Sequence, residues 1–141
     1  MKIMKHEFVE FIPDVITNDV IYVSIPYATV VHNCACGCGN ETVTPLSPRD
    51  WSLTYDGDSI TLVPSIGNWS LTCRSHYWIR KNNVIWARDW SDAEVAAGRH
   101  LENLEEIEYF YDANQRPSAF DVSEEPKLIR RLVHLVRRLF I

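Results

Sequence analysis

Three cysteines within five residues constrain this chain more than any other feature of its sequence. Cys34, Cys36 and Cys38 occur at every second position, and glycines follow the last two of them at Gly37 and Gly39. Thiolates are strong zinc ligands, and a structural zinc site usually takes four Cys or His side chains in a tetrahedron. Side chains two residues apart lie on the same side of an extended chain, and glycine allows the backbone to turn tightly. The run is therefore typical of one half of a metal site.

A second pair of potential ligands occurs much later, in a C-x-x-H element at Cys73 and His76. This spacing places both side chains on one side of a turn. A long gap between half-sites is normal when each half belongs to its own hairpin. We predict one transition-metal site, with zinc as its metal. The predicted ligands are Cys36, Cys38, Cys73, His76 and Cys34.

These five candidates exceed the four positions of a tetrahedral site, and the sequence leaves the choice open. Cys34 is the spare in the arrangement we favour, although Cys34 and Cys38 could instead form the N-terminal pair. His32 is a sixth and weaker candidate, for which a structural role is favoured. The surplus matters because a closed site does no chemistry, whereas an open position could activate water.

Several side chains near the predicted site are candidate catalytic groups. A spare Cys34 beside a bound metal could act as a nucleophile, and Glu41 could serve as a base. Ser65 and Ser75 are conceivable nucleophiles, but neither lies in a G-x-S-x-G context. Turn or capping roles are favoured for both serines, and a solvated surface position is favoured for Glu41.

Composition narrows the class of protein. The net charge of −5 gives no overall attraction to nucleic acid. The chain contains no apolar run of about 18 residues, which a membrane span needs, and residues 1–10 do not resemble a signal peptide. We therefore expect the protein to be located in the cytoplasm. In that reducing compartment, four cysteines indicate metal binding or reactive thiols rather than disulfides.

The two parts of the chain differ in hydrophobic pattern. Residues 1–90 contain short β-type runs separated by turn signals, of which Asp56-Gly57 and Asn82-Asn83 are the strongest. Predicted strands include one at 69–72. We predict an α+β fold in a single domain, with an antiparallel β-meander over 1–90 stapled by the metal. Two or three helices are expected over 91–141.

The helical part begins with a capping box, because Ser91 is followed three residues later by Glu94. Gly98 weakens the first predicted helix and could split it. A loop is predicted over 114–121 and a last helix from Ser123, which carries a stripe of leucines. Packing of this helix on the sheet is favoured, and the alternative is a basic amphipathic helix for a partner or a membrane surface.

The motifs together resemble a known bacterial family of unknown function. The resemblance covers about residues 6–90 and rests on a C-x-C-G-C-G element, a P-S-I-G-N-W segment at 64–69 and a C-x-S-H-Y element at 73–77. It implies a place in operons that encode a ubiquitin-like protein with E1-like and E2-like enzymes, and hence a protein partner. The resemblance carries over no catalytic residue.

Two functions follow from this reading. The favoured one is a zinc-binding accessory module that docks the ubiquitin-like protein or its E1-like or E2-like enzymes. The alternative is a peptidase that processes or deconjugates the ubiquitin-like protein. The chain lacks the H-E-x-x-H, Walker, G-x-G-x-x-G and nucleobase-deaminase signatures, which favours the binding module.

Overall fold

A computed structural model describes residues 1–115 of the chain. The strands are β1 (Lys2–Ile3), β2 (Lys5–Phe8), β3 (Val20–Ser24), β4 (Thr29–Asn33), β5 (Glu41–Pro45), β6 (Ser52–Tyr55), β7 (Ile60–Gly67), β8 (His76–Arg80) and β9 (Asn83–Trp86). They are followed by helix α1 (Asp92–Gln115). The predicted α+β class is confirmed.

The strands form two sheets. The five-stranded sheet has the order β1-β9-β8-β7-β6, and the four-stranded sheet has the order β2-β3-β4-β5. All neighbouring strands are antiparallel except β2 and β3, which are parallel. Parallel neighbours need a crossover, which residues 9–19 provide, and this pair was absent from the predicted meander.

The hydrophobic core lies between the inner faces of the two sheets. Because side chains alternate along a strand, Ile21 and Val23 enter this core from β3, whereas Tyr77 and Ile79 enter it from β8. Tyr22 and Val31 face the other way and are covered by Val9, Ile12 and Ile16 of the crossover. The crossover therefore buries the outer face of the four-stranded sheet.

The predicted strand over 69–72 is wrong, since these residues form turns between β7 and β8. The N–H of Leu71 donates to the carbonyl of Asn68, and the N–H of Arg74 donates to the carbonyl of Leu71. These local bonds use backbone groups that a strand would offer to a neighbour. The segment therefore remains a loop that carries side chains to the end of the sheet.

The capping box predicted at the start of the helix is confirmed. The Glu94 carboxylate accepts from the Ser91 N–H at 2.8 Å, and the Ser91 hydroxyl accepts from the Glu94 N–H at 3.3 Å. Helix α1 continues through Gly98, so this glycine does not split it. The loop predicted over 114–121 begins inside this helix and otherwise lies, like the last predicted helix, outside the described residues.

The chain divides into two compact units, the first of which is Met1–Arg99 and the second of which begins at His100. Both sheets and the first residues of α1 belong to the first unit. The single-domain organisation stays a prediction. Within residues 1–115, no helix is both long and apolar enough to cross a membrane.

Candidate active site and metal centre

The loops at one end of the two sheets bring the four cysteines of the chain together. The loop after β4 provides Cys34, Cys36 and Cys38, and the loop between β7 and β8 provides Cys73. Their sulfur atoms all lie within 4.8 Å of one another. Gly37 and Gly39 have φ angles of 84° and 80°, which only glycine adopts without strain, and these turns bring the sulfurs of the first three cysteines together. The cluster therefore joins the two sheets.

The spacing of these sulfurs suits a tetrahedral metal ion. A zinc–sulfur bond of about 2.3 Å places two sulfurs of a tetrahedron about 3.8 Å apart. The Sγ atom of Cys34 lies 3.9 Å from that of Cys73 and 3.3 Å from that of Cys36. The four cysteines could thus hold a metal ion, and an all-thiolate set is one that zinc accepts.

The ionisation of these thiols is uneven in the absence of a cation. Hydrogen bonds from the backbone and side chain of Asn40 lower the pKa of Cys38 to about 6. The pKa of Cys36 is raised to about 12, mainly by loss of hydration and to a smaller extent by the contact with Cys34. Neighbouring thiolates repel one another, so a bound cation is what would allow all four to ionise together.

His76 lies outside the cysteine cluster, which differs from its predicted place among the ligands. Its Nε2 atom lies 2.9 Å from the Oγ atom of Ser65, and its Nδ1 atom lies 3.0 Å from the carbonyl oxygen of Arg88. Both ring nitrogens are therefore engaged elsewhere, and Cys34 completes the group of four sulfurs instead. The physical reason is alternation, since His76 is on the face of β8 opposite Tyr77, which enters the core.

An irregular segment of β7 places Ser65 beside this histidine. Leu62 pairs with Ile79 and Ile66 pairs with Tyr77, so three residues of β7 bulge opposite the single residue Trp78. Bulges bend a strand and re-aim its side chains. Because Ile66 enters the core, the neighbouring Ser65 faces outward, where it is half-buried and reachable from solvent.

The hydrogen bonds of His76 define the tautomer of its ring. A carbonyl oxygen can only accept, so the Nδ1 atom must carry the proton that is donated to Arg88. In the neutral ring, the Nε2 atom is then unprotonated and accepts the hydroxyl proton of Ser65. A serine hydroxyl bonded to the unprotonated nitrogen of an oriented, neutral imidazole is the arrangement that activates a serine nucleophile.

Tryptophan side chains surround the histidine ring. Trp69 and Trp90 stack on each other at 5.6 Å, and each meets His76 edge-on, at 4.9 Å and 5.3 Å between ring centroids. Gly67 pairs directly with His76 across the sheet, and a methyl group at Gly67 would overlap the Trp69 indole. Because Gly67 has no side chain, the Trp69 ring can lie against β7 two residues beyond Ser65. We call the stacked rings of Trp69 and Trp90 the aromatic wall.

The other predicted catalytic candidates lie apart from the serine–histidine pair. Cys34 is buried in the cysteine cluster, and Ser75 is a buried neighbour of that cluster, with its Oγ atom 3.0 Å from the Cys34 sulfur. Glu41 is exposed at the start of β5. His32 is fully buried, and its Nε2 atom lies 2.9 Å from the Tyr77 hydroxyl.

Sequence reasoning considered Ser65 but missed its partner. The C-x-x-H spacing assigns His76 to the metal, and the carbonyl of Arg88 carries no sequence signal because every residue has a carbonyl group. The available signal was the alternation of β8, in which His76 and Trp78 occupy one face while Tyr77 and Ile79 occupy the other. That pattern places His76 on the outer face of β8, away from the cysteine cluster.

The described residues thus define an α+β protein of two sheets and one helix, with a serine–histidine pair next to a four-cysteine cluster. The chain belongs to the family described as "Bacterial ubiquitination-like system serine protease (BubE)", whose family model matches residues 8–87, more than half of the chain. The predicted association with ubiquitin-like conjugation is thereby confirmed at the level of the family. No curated protein and no solved structure gives a significant match to this chain.

Proposed function

We propose that this protein is a serine peptidase that cleaves the bond at the C-terminus of a ubiquitin-like protein, in maturation or in deconjugation. The observation that carries the proposal is the 2.9 Å contact between the Nε2 atom of His76 and the Oγ atom of Ser65. The serine protease named in the family description agrees with it. Ser65 is the nucleophile, and His76 is the general base and acid.

The geometry suits acyl transfer in two halves. In the first half, the Ser65 oxygen attacks the scissile carbonyl carbon while its proton moves to the Nε2 atom of His76. The tetrahedral intermediate collapses, the carbon–nitrogen bond breaks, and the leaving amine takes this proton, which leaves an acyl ester on Ser65. In the second half, His76 removes a proton from water, the resulting hydroxide attacks the ester, and Ser65 recovers its proton.

The contact from the Arg88 carbonyl supports the base in both halves. It keeps the Nδ1 proton in place, so the Nε2 atom faces the serine. A carbonyl dipole also stabilises the imidazolium that forms, although less strongly than a carboxylate would. The Trp69 and Trp90 rings shield one side of the imidazole from water, which strengthens these electrostatic interactions.

We further propose that the four cysteines bind one zinc ion with a structural role. All four ligand positions would be filled by sulfur, which leaves no position for water. The ion would hold the loop between β7 and β8, from which strand β8 and His76 continue. We also propose that the protein acts in the cytoplasm, where reducing conditions keep cysteines out of disulfides and available to a metal.

The accessory binding module favoured by the sequence remains the second candidate function. The cysteine cluster supports it, because a closed, structural metal site would stabilise a domain that only binds as well as one that catalyses. The Ser65–His76 pair favours the peptidase, because a module that only binds has no need of an oriented base next to a reachable hydroxyl.

The deciding experiment is cleavage of a ubiquitin-like protein from such a system, fused through its C-terminus to a reporter domain. The native protein should release the reporter, whereas Ser65→Ala and His76→Ala should lose at least about 10³-fold in rate. Ser70→Ala is the matched control, since Ser70 is an exposed serine in the loop after β7. Cleavage that survives Ser65→Ala would remove Ser65 as the nucleophile, and binding without cleavage would favour the accessory module.

A further inference from the structure

Arg74 belongs to the loop that connects Cys73 of the cysteine cluster to strand β8 and His76. It follows Cys73 directly and has a φ angle of 45°, in the left-handed region that side chains rarely occupy. Its N–H donates to the carbonyl of Leu71 at 3.0 Å, which closes a tight turn. The loop thus carries Cys73 into the cluster and brings the Arg74 guanidinium to Trp90 and Asp92 in the segment 88–92.

The guanidinium of Arg74 makes three contacts that converge on this segment and on the aromatic wall. Its Nη2 atom donates to the carbonyl of Trp90 at 3.0 Å, and its Nη1 atom lies 2.9 Å from the Asp92 carboxylate. Its central carbon lies 5.7 Å from the centre of the Trp69 ring, in a cation–π contact. A planar guanidinium can make all three contacts together, which an ammonium cannot.

The segment 88–92 is what orients the catalytic histidine. The Arg88 carbonyl accepts the Nδ1 proton of His76 at 3.0 Å, and the Trp90 ring packs edge-on against the imidazole. Among the described residues, no carboxylate is hydrogen-bonded to His76. The segment therefore does the work that a buried aspartate does in a Ser-His-Asp triad.

A backbone carbonyl can orient a base only if the segment that carries it stays in place. The end of β9 holds one side of this segment, because the N–H of Ala87 donates to the carbonyl of His76 at 2.9 Å. The capping box at Ser91 and Glu94 organises the other side. Arg74 is the side chain that ties the middle of the segment to the loop of Cys73.

We infer that Arg74 is a positioning residue for the proposed Ser65–His76 pair, acting through the Trp90 and Arg88 backbone. The inference rests on the proposed function. The bond to the Trp90 carbonyl and the stacking on Trp69 carry it, because the Asp92 side chain is 91% exposed and an ion pair there contributes little. Because Arg74 and Cys73 belong to the same loop, a movement of this loop would also change the position of His76 relative to Ser65.

The test uses a fluorophosphonate probe, which reports serine reactivity without a known substrate. The Ser65 oxygen attacks phosphorus, fluoride leaves, and the serine proton passes to His76. Arg74→Gly is the main variant because glycine accepts the left-handed backbone at this position. We expect the maximal labelling rate to fall by about ten- to a hundredfold, since small misplacements of catalytic groups cost this much. The probe concentration for half-maximal rate should be unchanged.

Further measurements separate positioning from a general loss of structure. Added methylguanidinium should restore part of the labelling rate of Arg74→Gly, and Arg74→Lys should label at an intermediate rate. Arg80→Ala is the matched control, because Arg80 also lies over a tryptophan, at 5.5 Å from Trp78, and its loss changes the charge equally. It should label at the native rate and be unaffected by methylguanidinium.

The two hypotheses fail in different ways. If Ser65 in the native protein takes up no label, the proposed function is wrong, and the inference about Arg74 falls with it. If Ser65 is labelled and Arg74→Gly reacts at the native rate, only the inference is overturned. It is also overturned if Arg74→Gly loses rate without rescue by methylguanidinium while its metal content falls, because Arg74 would then support the cluster rather than the histidine.

Discussion

The hydroxyl oxygen of Ser75 lies 3.0 Å from the sulfur of Cys34, and Ser75 immediately precedes His76. The side chain of Asn68 donates to the same hydroxyl at 2.9 Å, and its backbone N–H donates to the Ser75 carbonyl at 2.9 Å. One buried residue thus connects the cysteine cluster to the strand that carries the histidine. Substitution of Ser75 should therefore weaken the cysteine cluster more than it affects the Ser65–His76 pair.

Replacement of Ser75 by alanine should destabilise the protein without removing its nucleophile. The change deprives the Cys34 sulfur and the Asn68 amide of a buried partner, which costs about 1–3 kcal/mol of the free energy of unfolding. Loss of a group that hydrogen-bonds a metal ligand typically lowers metal affinity by about 10- to 100-fold. Chemical denaturation and a competition titration with a zinc chelator measure both quantities.

The control for this prediction is Ser70→Ala, an exposed position that should shift the unfolding free energy by no more than about 0.5 kcal/mol. The contrary result would be a Ser75→Ala protein with native stability and metal affinity but no fluorophosphonate labelling. That outcome would make Ser75 the nucleophile in place of Ser65.

Replacement of His76 by alanine should separate catalysis from metal binding. We expect peptidase activity to fall by at least about 10³-fold, because the serine loses its base. The metal-to-protein ratio should be unchanged, because the four sulfurs converge without the imidazole. Visible absorption of the cobalt-substituted protein reports the ligand set directly, and His76→Ala should leave that spectrum as it is. A cobalt spectrum that changes would return His76 to the ligand set that the sequence predicted.

Replacement of Gly67 by alanine should reduce activity through Trp69 alone. The added methyl group would overlap the indole of Trp69, which must then leave its place against His76. The labelling rate of Ser65 should fall by about tenfold or more. In a double-mutant cycle, Gly67→Ala should add nothing to Trp69→Ala, because the ring that it displaces is already gone. Additive effects would indicate that Gly67 acts through the backbone of β7 instead.

The buried His32 predicts a loss of stability in mild acid. Burial lowers the pKa of His32 to about 4 from its usual 6.5, so the unfolded chain takes up a proton that the folded chain refuses. The contribution of neutral His32 to the free energy of unfolding is fully present above pH 6.5. It declines by about 3 kcal/mol as the pH falls to 4, at 1.36 kcal/mol for each pH unit.

The comparison that isolates this effect uses His32→Gln, which has no group that titrates in this range. The unfolding free energy of the native protein should fall between pH 6.5 and 4 by about 3 kcal/mol more than that of the variant. Both proteins are measured with and without chelator, because acid also releases metal from thiolates. Parallel pH profiles for the two proteins would contradict the prediction.

Some features of this protein are legible in its sequence because they depend on neighbours along the chain. The capping box at Ser91, the hairpin at Asp56-Gly57 and strands such as β3 and β4 follow from local backbone preferences. The sequence also predicts that the cysteines form a metal site, because three cysteines within five residues are poorly explained as small buried side chains. The family resemblance rested on the same short motifs.

Only the tertiary structure decided which partners these residues meet. Ser65 and His76 come together because a bulge in β7 and the alternation of β8 bring both to the outer face of one sheet. The orienting carbonyl at Arg88 belongs to a backbone group that no residue type reveals. Local preferences act over a few residues, whereas these contacts depend on strand register and on the path of distant loops, which exist only once the sheets have formed.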